Sequence, residues 1–109
     1  MRMMLHVVIP VETGNAAVRT GQLGPFIQKV LGDLKAEAAF FTEDHGTRSG
    51  YIFFDMKDAS QLPAIAEPWF LAFNATVSVK PAMTPQDLAG PAGAAIEAAT
   101  KAHPKTFGS

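Results

Sequence analysis

The chain has 109 residues, enough for one domain around one core but not for two, and small enough that much of its surface stays exposed unless it self-associates. Nine Lys and Arg against ten Asp and Glu leave a formal charge of -1, and the basic residues are scattered, which argues against a nucleic-acid partner. Cysteine is absent, so disulfides, thiolate nucleophiles and cysteine-based zinc sites are excluded.

Residues 3–11, MMLHVVIPV, read as a first strand, rich in Val, Ile and Leu, with Pro10 marking an edge or an end. The apolar run is too short to span a bilayer and leads into Glu12 without a small-residue cleavage site. A cytoplasmic protein with no membrane partner is therefore expected. The period then changes: Leu23, Phe26, Ile27, Val30, Leu31 and Leu34 follow the three-and-four spacing of an amphipathic helix. Thr13 or Asn15 is a candidate cap for an earlier helical segment, and Gly21 and Gly24-Pro25 are expected to bend or interrupt it.

Two aromatic-rich runs, AEAAFFT at 36–42 and SGYIFFDM at 49–56, flank EDHGTR, whose Asp44, His45 and Gly46 supply turn chemistry. They predict a hairpin. Asp58 or Ser60 then starts a second helix with Leu62, Ile65, Ala66, Trp69, Phe70 and Phe73 on one stripe. Pro63 suits its first turn, whereas Pro68 is expected to kink or end it. ATVSVKP, 75–81, alternates as a fourth strand, and Thr84 is placed to cap a short turn with Pro85 at its first position. The chain divides into one domain over 1–88 and, over 89–109, an Ala-rich, weakly docked helix with a flexible tail.

Strand-helix-strand-strand-helix-strand is the order of a ferredoxin-like α+β fold, βαββαβ, with an antiparallel sheet and helices on one face. Phe40 and Phe41 point to opposite sides, as do Phe53 and Phe54, so both faces carry apolar side chains. A sheet with one wet face would alternate apolar with polar. Helices cover one face, and a second copy of the chain is the simplest cover for the other.

With these features the chain resembles the small dimeric α+β barrel proteins, in which two ferredoxin-like subunits pack sheet against sheet. VETGN at 11–15, DLKAEAAFFT at 33–42, GYIFFDM at 50–56 and AEPWFLAFNA at 66–75 are similar to segments of a group of uncharacterised bacterial proteins of that superfamily. The resemblance covers 3–88 and implies fold and homodimerisation, with no reaction to carry over. The superfamily includes muconolactone isomerases, cofactor-free quinone-forming monooxygenases, haem-degrading monooxygenases, chlorite dismutases and stress-response barrels, so fold does not select function. Haem-degrading members use an Asn, a Trp and a His; Asn74, Trp69 and His6 are present here, but in an order and context that do not reproduce that motif. No cofactor and no metal are expected.

His6, alone in an apolar strand, is the candidate general base, with a hydrogen-bonded structural histidine as its alternative. His45 lies in the hairpin turn and His103 in the tail, poor positions for a metal or a triad. Tyr51 and Asp55 share a face of their strand and could line a pocket, although capping of the following helix with Asp58 is the stronger expectation for Asp55. Glu12, Arg19 and Glu43 fall near element ends and read as solvated surface. No phosphate-cradling loop and no nucleophile elbow occurs.

Trp69 and Phe73 lie on the apolar stripe of the second helix, where core packing explains them. Pro68 and Asn74 beside them suggest instead a pocket wall between helix and sheet. The leading expectation is a homodimer binding a small apolar or aromatic metabolite there. Its rivals are a cofactor-independent isomerase or monooxygenase using His6, with Tyr51 or Asn74 orienting the substrate, and a non-catalytic structural or regulatory interaction module.

Overall fold

The computed structural model of the chain describes residues 1–107. Strand β1 (Arg2–Ile9) is followed by helices α1 (Val11–Arg19) and α2 (Leu23–Leu34), strands β2 (Ala38–Asp44) and β3 (Thr47–Asp55), helix α3 (Leu62–Phe73), strand β4 (Thr76–Pro81), and helices α4 (Pro85–Ala89) and α5 (Pro91–Ala102). The sheet order is β2-β3-β1-β4, with every neighbouring pair antiparallel. This is the ferredoxin-like arrangement: the two central strands, β1 and β3, each open one strand-helix-strand unit.

Alternation assigns the faces. Met3, Leu5, Val7 and Ile9 of β1 are buried, and so are Ile52 and Phe54 of β3, which pair with Leu5 and Met3. They form one core with Val30 of α2 and Ile65, Trp69 and Phe73 of α3. Met4, His6, Val8, Tyr51 and Phe53 occupy the other face and are half-buried. Among the described residues, the buried side chains of the helices belong to the core on the opposite face.

Several local details differ from the sequence expectations. Helix α1 begins at Val11, directly after Pro10, and neither Thr13 nor Asn15 caps it. The Thr13 hydroxyl instead donates to the Phe73 carbonyl at 2.6 Å, tying α1 to the end of α3, and Asn15 Oδ1 accepts from Arg48. The break between α1 and α2 falls at Gly21, whose φ of +72° suits glycine, whereas Gly24-Pro25 sits inside the first turn of α2. There Pro25 forfeits no intrahelical bond, so the helix is not interrupted.

Pro68 neither ends α3 nor stops its apolar stripe; the helix runs on to Phe73. A mid-helix proline costs about 3 kcal/mol, while burying Ile65, Trp69 and Phe73 is favourable by about 1.5–3 kcal/mol each. Tertiary burial wins. Asn74 then closes the helix in the left-handed conformation at φ 52°, with its N–H bonded to the Phe70 carbonyl. The hairpin turn is the two-residue His45-Gly46 with φ 50° and 82°, the positive pair that the twist of the flanking strands requires.

Asp58 caps the single 3₁₀ turn at Ala59–Gln61 that leads into α3, and Asp55 does not take part. Thr84 and Asp87 form a reciprocal capping box on α4. Helix α5 contributes no buried residue, and the Cα radius of gyration of 18.1 Å exceeds the roughly 13 Å usual near 100 residues. The C-terminal helices therefore project from the body. Of the tail expected over the last residues, Gly108 and Ser109 lie outside the described residues.

Candidate functional site

Two places on opposite faces of the sheet carry the residues singled out above. On the open face, pairing aligns Phe40, Tyr51, His6 and Ser78 in one row across the four strands. The imidazole of His6 stacks on Tyr51, with centroids 4.2 Å apart and planes 2° from parallel. His6 Nε2 lies 2.9 Å from Ser49 Oγ, and Ser49 Oγ lies 3.1 Å from the Val7 carbonyl. A carbonyl only accepts and a hydroxyl has one proton, so Ser49 donates to Val7 and His6 Nε2–H donates to Ser49. In the neutral ring, Nδ1 is then the nitrogen left to accept a proton.

Asp55, on the same face, is exposed, and its Oδ1 accepts from the N-terminal ammonium at 2.6 Å. That hydrogen bond, together with the attraction of the ammonium charge, holds its carboxyl below the usual range. Asp55 pairs in register with Arg2, two positions along β1 from Met4 and four from His6. It is an ion-pair group at the sheet end rather than a partner of the His6–Tyr51 stack.

The second place lies between the sheet and the helices. A cavity of about 150 Å³ is walled by Val7, Leu23, Ile27, Phe41, Arg48 and Trp69, among others. Its surface is almost wholly apolar. Trp69 is fully buried, with Phe26 edge-on at 5.0 Å and Phe73 at 6.1 Å on its other contacts. Its indole Nε1 is excluded from solvent and has no hydrogen-bond partner, an uncommon state for a buried donor. The single tryptophan is thus both core and cavity wall.

The candidate residues do not form one constellation. Trp69 lines the cavity and Phe73 packs behind it; Tyr51 is across the sheet with His6; Asp55 sits at the sheet end, in a separate cleft with Lys35, Lys57 and Ile65; Asn74 caps α3. Sequence reasoning passed over Phe41 and Arg48. Phe41 pairs with Gly50, and its ring occupies the place of the missing side chain: a Cβ on Gly50 would meet Phe41 Cδ1 at 2.8 Å. Arg48 shares its strand parity with Gly50, Ile52 and Phe54, a signal that places it toward the helices.

Among the described residues, no group of three or more His, Asp and Glu is arranged to hold a metal ion, and no helix is long and apolar enough to cross a membrane. No protein-family model matches the chain, and no curated protein matches it in sequence. Among solved structures it is similar to a formyltetrahydrofolate deformylase from Pseudomonas putida KT2440, with a TM-score of 0.50 and 14% identity over 75% of this chain. The chain spans 29% of the length of that protein. A likeness at this identity carries the ferredoxin-like fold and not an activity.

Proposed function

We propose that the chain is a small-ligand-binding protein whose site is the cavity between sheet and helices, and that it works as a homodimer joined through the open sheet face. The cavity carries the reading. Its roughly 150 Å³ matches a space that accepts benzene in an apolar protein interior, and its walls offer dispersion contacts and little to direct a reaction. Titration with a panel of one-ring aromatic compounds, read by the emission of Trp69, tests it. Saturable quenching supports the site; no response to any member of the panel overturns it.

The homodimer rests on the open face. Phe40 is 64% exposed there, beside half-exposed Met4, Val8, Tyr51 and Phe53, a contiguous apolar surface of the kind that marks an interaction site. A sheet-to-sheet contact should bury on the order of 1,500 Å² in total. Light scattering at micromolar concentration is expected to report twice the chain mass. The chain mass alone would contradict the assembly.

Catalysis is the second reading, favoured by the one-sided hydrogen bonding of His6, which leaves Nδ1 as a base. The cavity described above does not include His6, so binding is the better supported of the two. In a sheet-to-sheet dimer His6 would face the partner copy, and an active site would have to be shared. Deuterium uptake into a bound carbonyl compound, abolished in His6→Gln, would move the preference to catalysis.

A further inference from the structure

Arginine is an unexpected residue on the core side of a central strand, and the structure gives it a built seat. Arg48 lies opposite Ile9 on β1 and opposite Glu43 on β2, on the face that carries the helices. Its Nη1 donates to Asn15 Oδ1 at 3.1 Å, a neutral partner. Among the described residues it has no ion pair. Glu43, the acid directly across, has its Oε2 occupied by the Gly46 N–H at 2.9 Å in the hairpin turn. The half-buried Arg48 thus makes no direct ion pair among the described residues, and its remaining N–H donors have no carboxylate in contact.

The seat is shaped for the guanidinium. Gly14 of α1 is buried, and a Cβ there would meet Arg48 Nη1 at 2.7 Å and Ile9 Cγ2 at 3.2 Å. The missing side chain lets the helix approach the arginine head closely. The stem of Arg48, meanwhile, helps wall the apolar cavity beside Trp69 and Phe41. One place therefore offers a ring-sized apolar space and, among the residues that wall it, one arginine that makes no direct ion pair.

We propose that the ligand is a small monocarboxylic acid, with a single aromatic ring or a branched aliphatic body of that size in the cavity and its carboxylate on Arg48. This rests on the cavity being the ligand site. A single guanidinium balances a monoanion, and its planar fork matches the two carboxylate oxygens. A phosphate dianion would call for a second cation, which the cavity wall does not contain.

Three probes separate the outcomes: toluene, phenylacetamide and phenylacetate, titrated by calorimetry and Trp69 emission into the wild type, Arg48→Met and Arg48→Lys. Phenylacetate is expected to bind the wild type about ten-fold more tightly than phenylacetamide, and added salt is expected to weaken this preference. Arg48→Met, which keeps an apolar stem, changes part of the cavity wall and so the affinity for toluene, which serves as that variant's own reference; against it, phenylacetate should no longer bind more tightly than phenylacetamide. Arg48→Lys should keep part of the preference for the acid. If toluene binds but the acid gains nothing over the amide on the wild type, the carboxylate inference is overturned and the cavity reading stands. If the acid preference survives in a folded Arg48→Met, the assignment to Arg48 is overturned. If none of the three probes binds, the cavity reading fails and the inference with it. The wild-type comparison of acid with amide requires no variant to fold.

Discussion

His6 and Ser49 are joined in one direction only: the ring nitrogen Nε2 donates to a hydroxyl 2.9 Å away whose own proton is committed to the Val7 carbonyl. The backbone of β1 therefore fixes a side-chain tautomer on the open face. The nitrogen shifts of the His6 ring at alkaline pH are expected to show protonated Nε2 and bare Nδ1. In Ser49→Ala the neutral ring should populate both tautomers. A wild-type ring protonated at Nδ1 would contradict the assigned hydrogen-bond direction.

Trp69→Phe removes packing against Phe26 but also removes a buried N–H that has no acceptor. The first effect destabilises by about 1–3 kcal/mol, and the second returns part of that. A net loss of about 1 kcal/mol is expected in chemical unfolding. A loss beyond about 3 kcal/mol would show that the indole nitrogen is bonded in solution.

Gly50→Ala tests the aromatic lid on the cavity. The new Cβ would lie 2.8 Å from Phe41 Cδ1 and 2.9 Å from Cε1 on the neighbouring strand, so the ring must move. Because Phe41 is 48% exposed it can swing outward, and the expected cost is about 1–2 kcal/mol together with weaker binding of one-ring ligands. Unchanged stability and unchanged affinity would place Phe41 elsewhere.

Acid should loosen the end of the sheet before the core. The Arg2 side chain hydrogen-bonds Glu37, chiefly through Nε at 2.6 Å, and holds its carboxyl below the usual range. Asp87 is likewise lowered by the Thr84 N–H at the start of α4. A depressed folded-state pKa contributes stability that is complete above the ordinary carboxylate range and fades as pH falls through the folded value. Both groups are exposed, so the effect is small and salt-sensitive. Wild-type stability is expected to decline below about pH 4, with a shallower decline in Glu37→Gln. Identical acid profiles would contradict the role given to the ion pair.

The sheet and its order were legible because strand signals are local: β-branched runs, alternating side chains and the His45-Gly46 turn all act within a few residues. The faces of Leu5, Val7 and Ile9 against His6 and Val8 were legible as two sets. Which set met the helices was not, since both are apolar enough to be covered. Pro68 does not end α3, one of the two outcomes expected of it, because the local cost of a proline is visible in sequence and the burial that outweighs it is not. Arg48 was passed over as one of several scattered cations. Its parity with Gly50, Ile52 and Phe54 held the clue, but only the start of α1 at Gly14 and Asn15 makes that position a seat. The cavity beside Trp69 includes neither Tyr51, on the open face, nor Asp55, at the sheet end.

The most direct test of a ligand site between sheet and helices is a chemical-shift map of the isotope-labelled protein titrated with toluene. Shifts are predicted at Val7, Ile27 and the Trp69 indole, saturating together, with His6 and Tyr51 unmoved. Shifts confined to the open face around His6 and Tyr51, or none at all, would contradict the account.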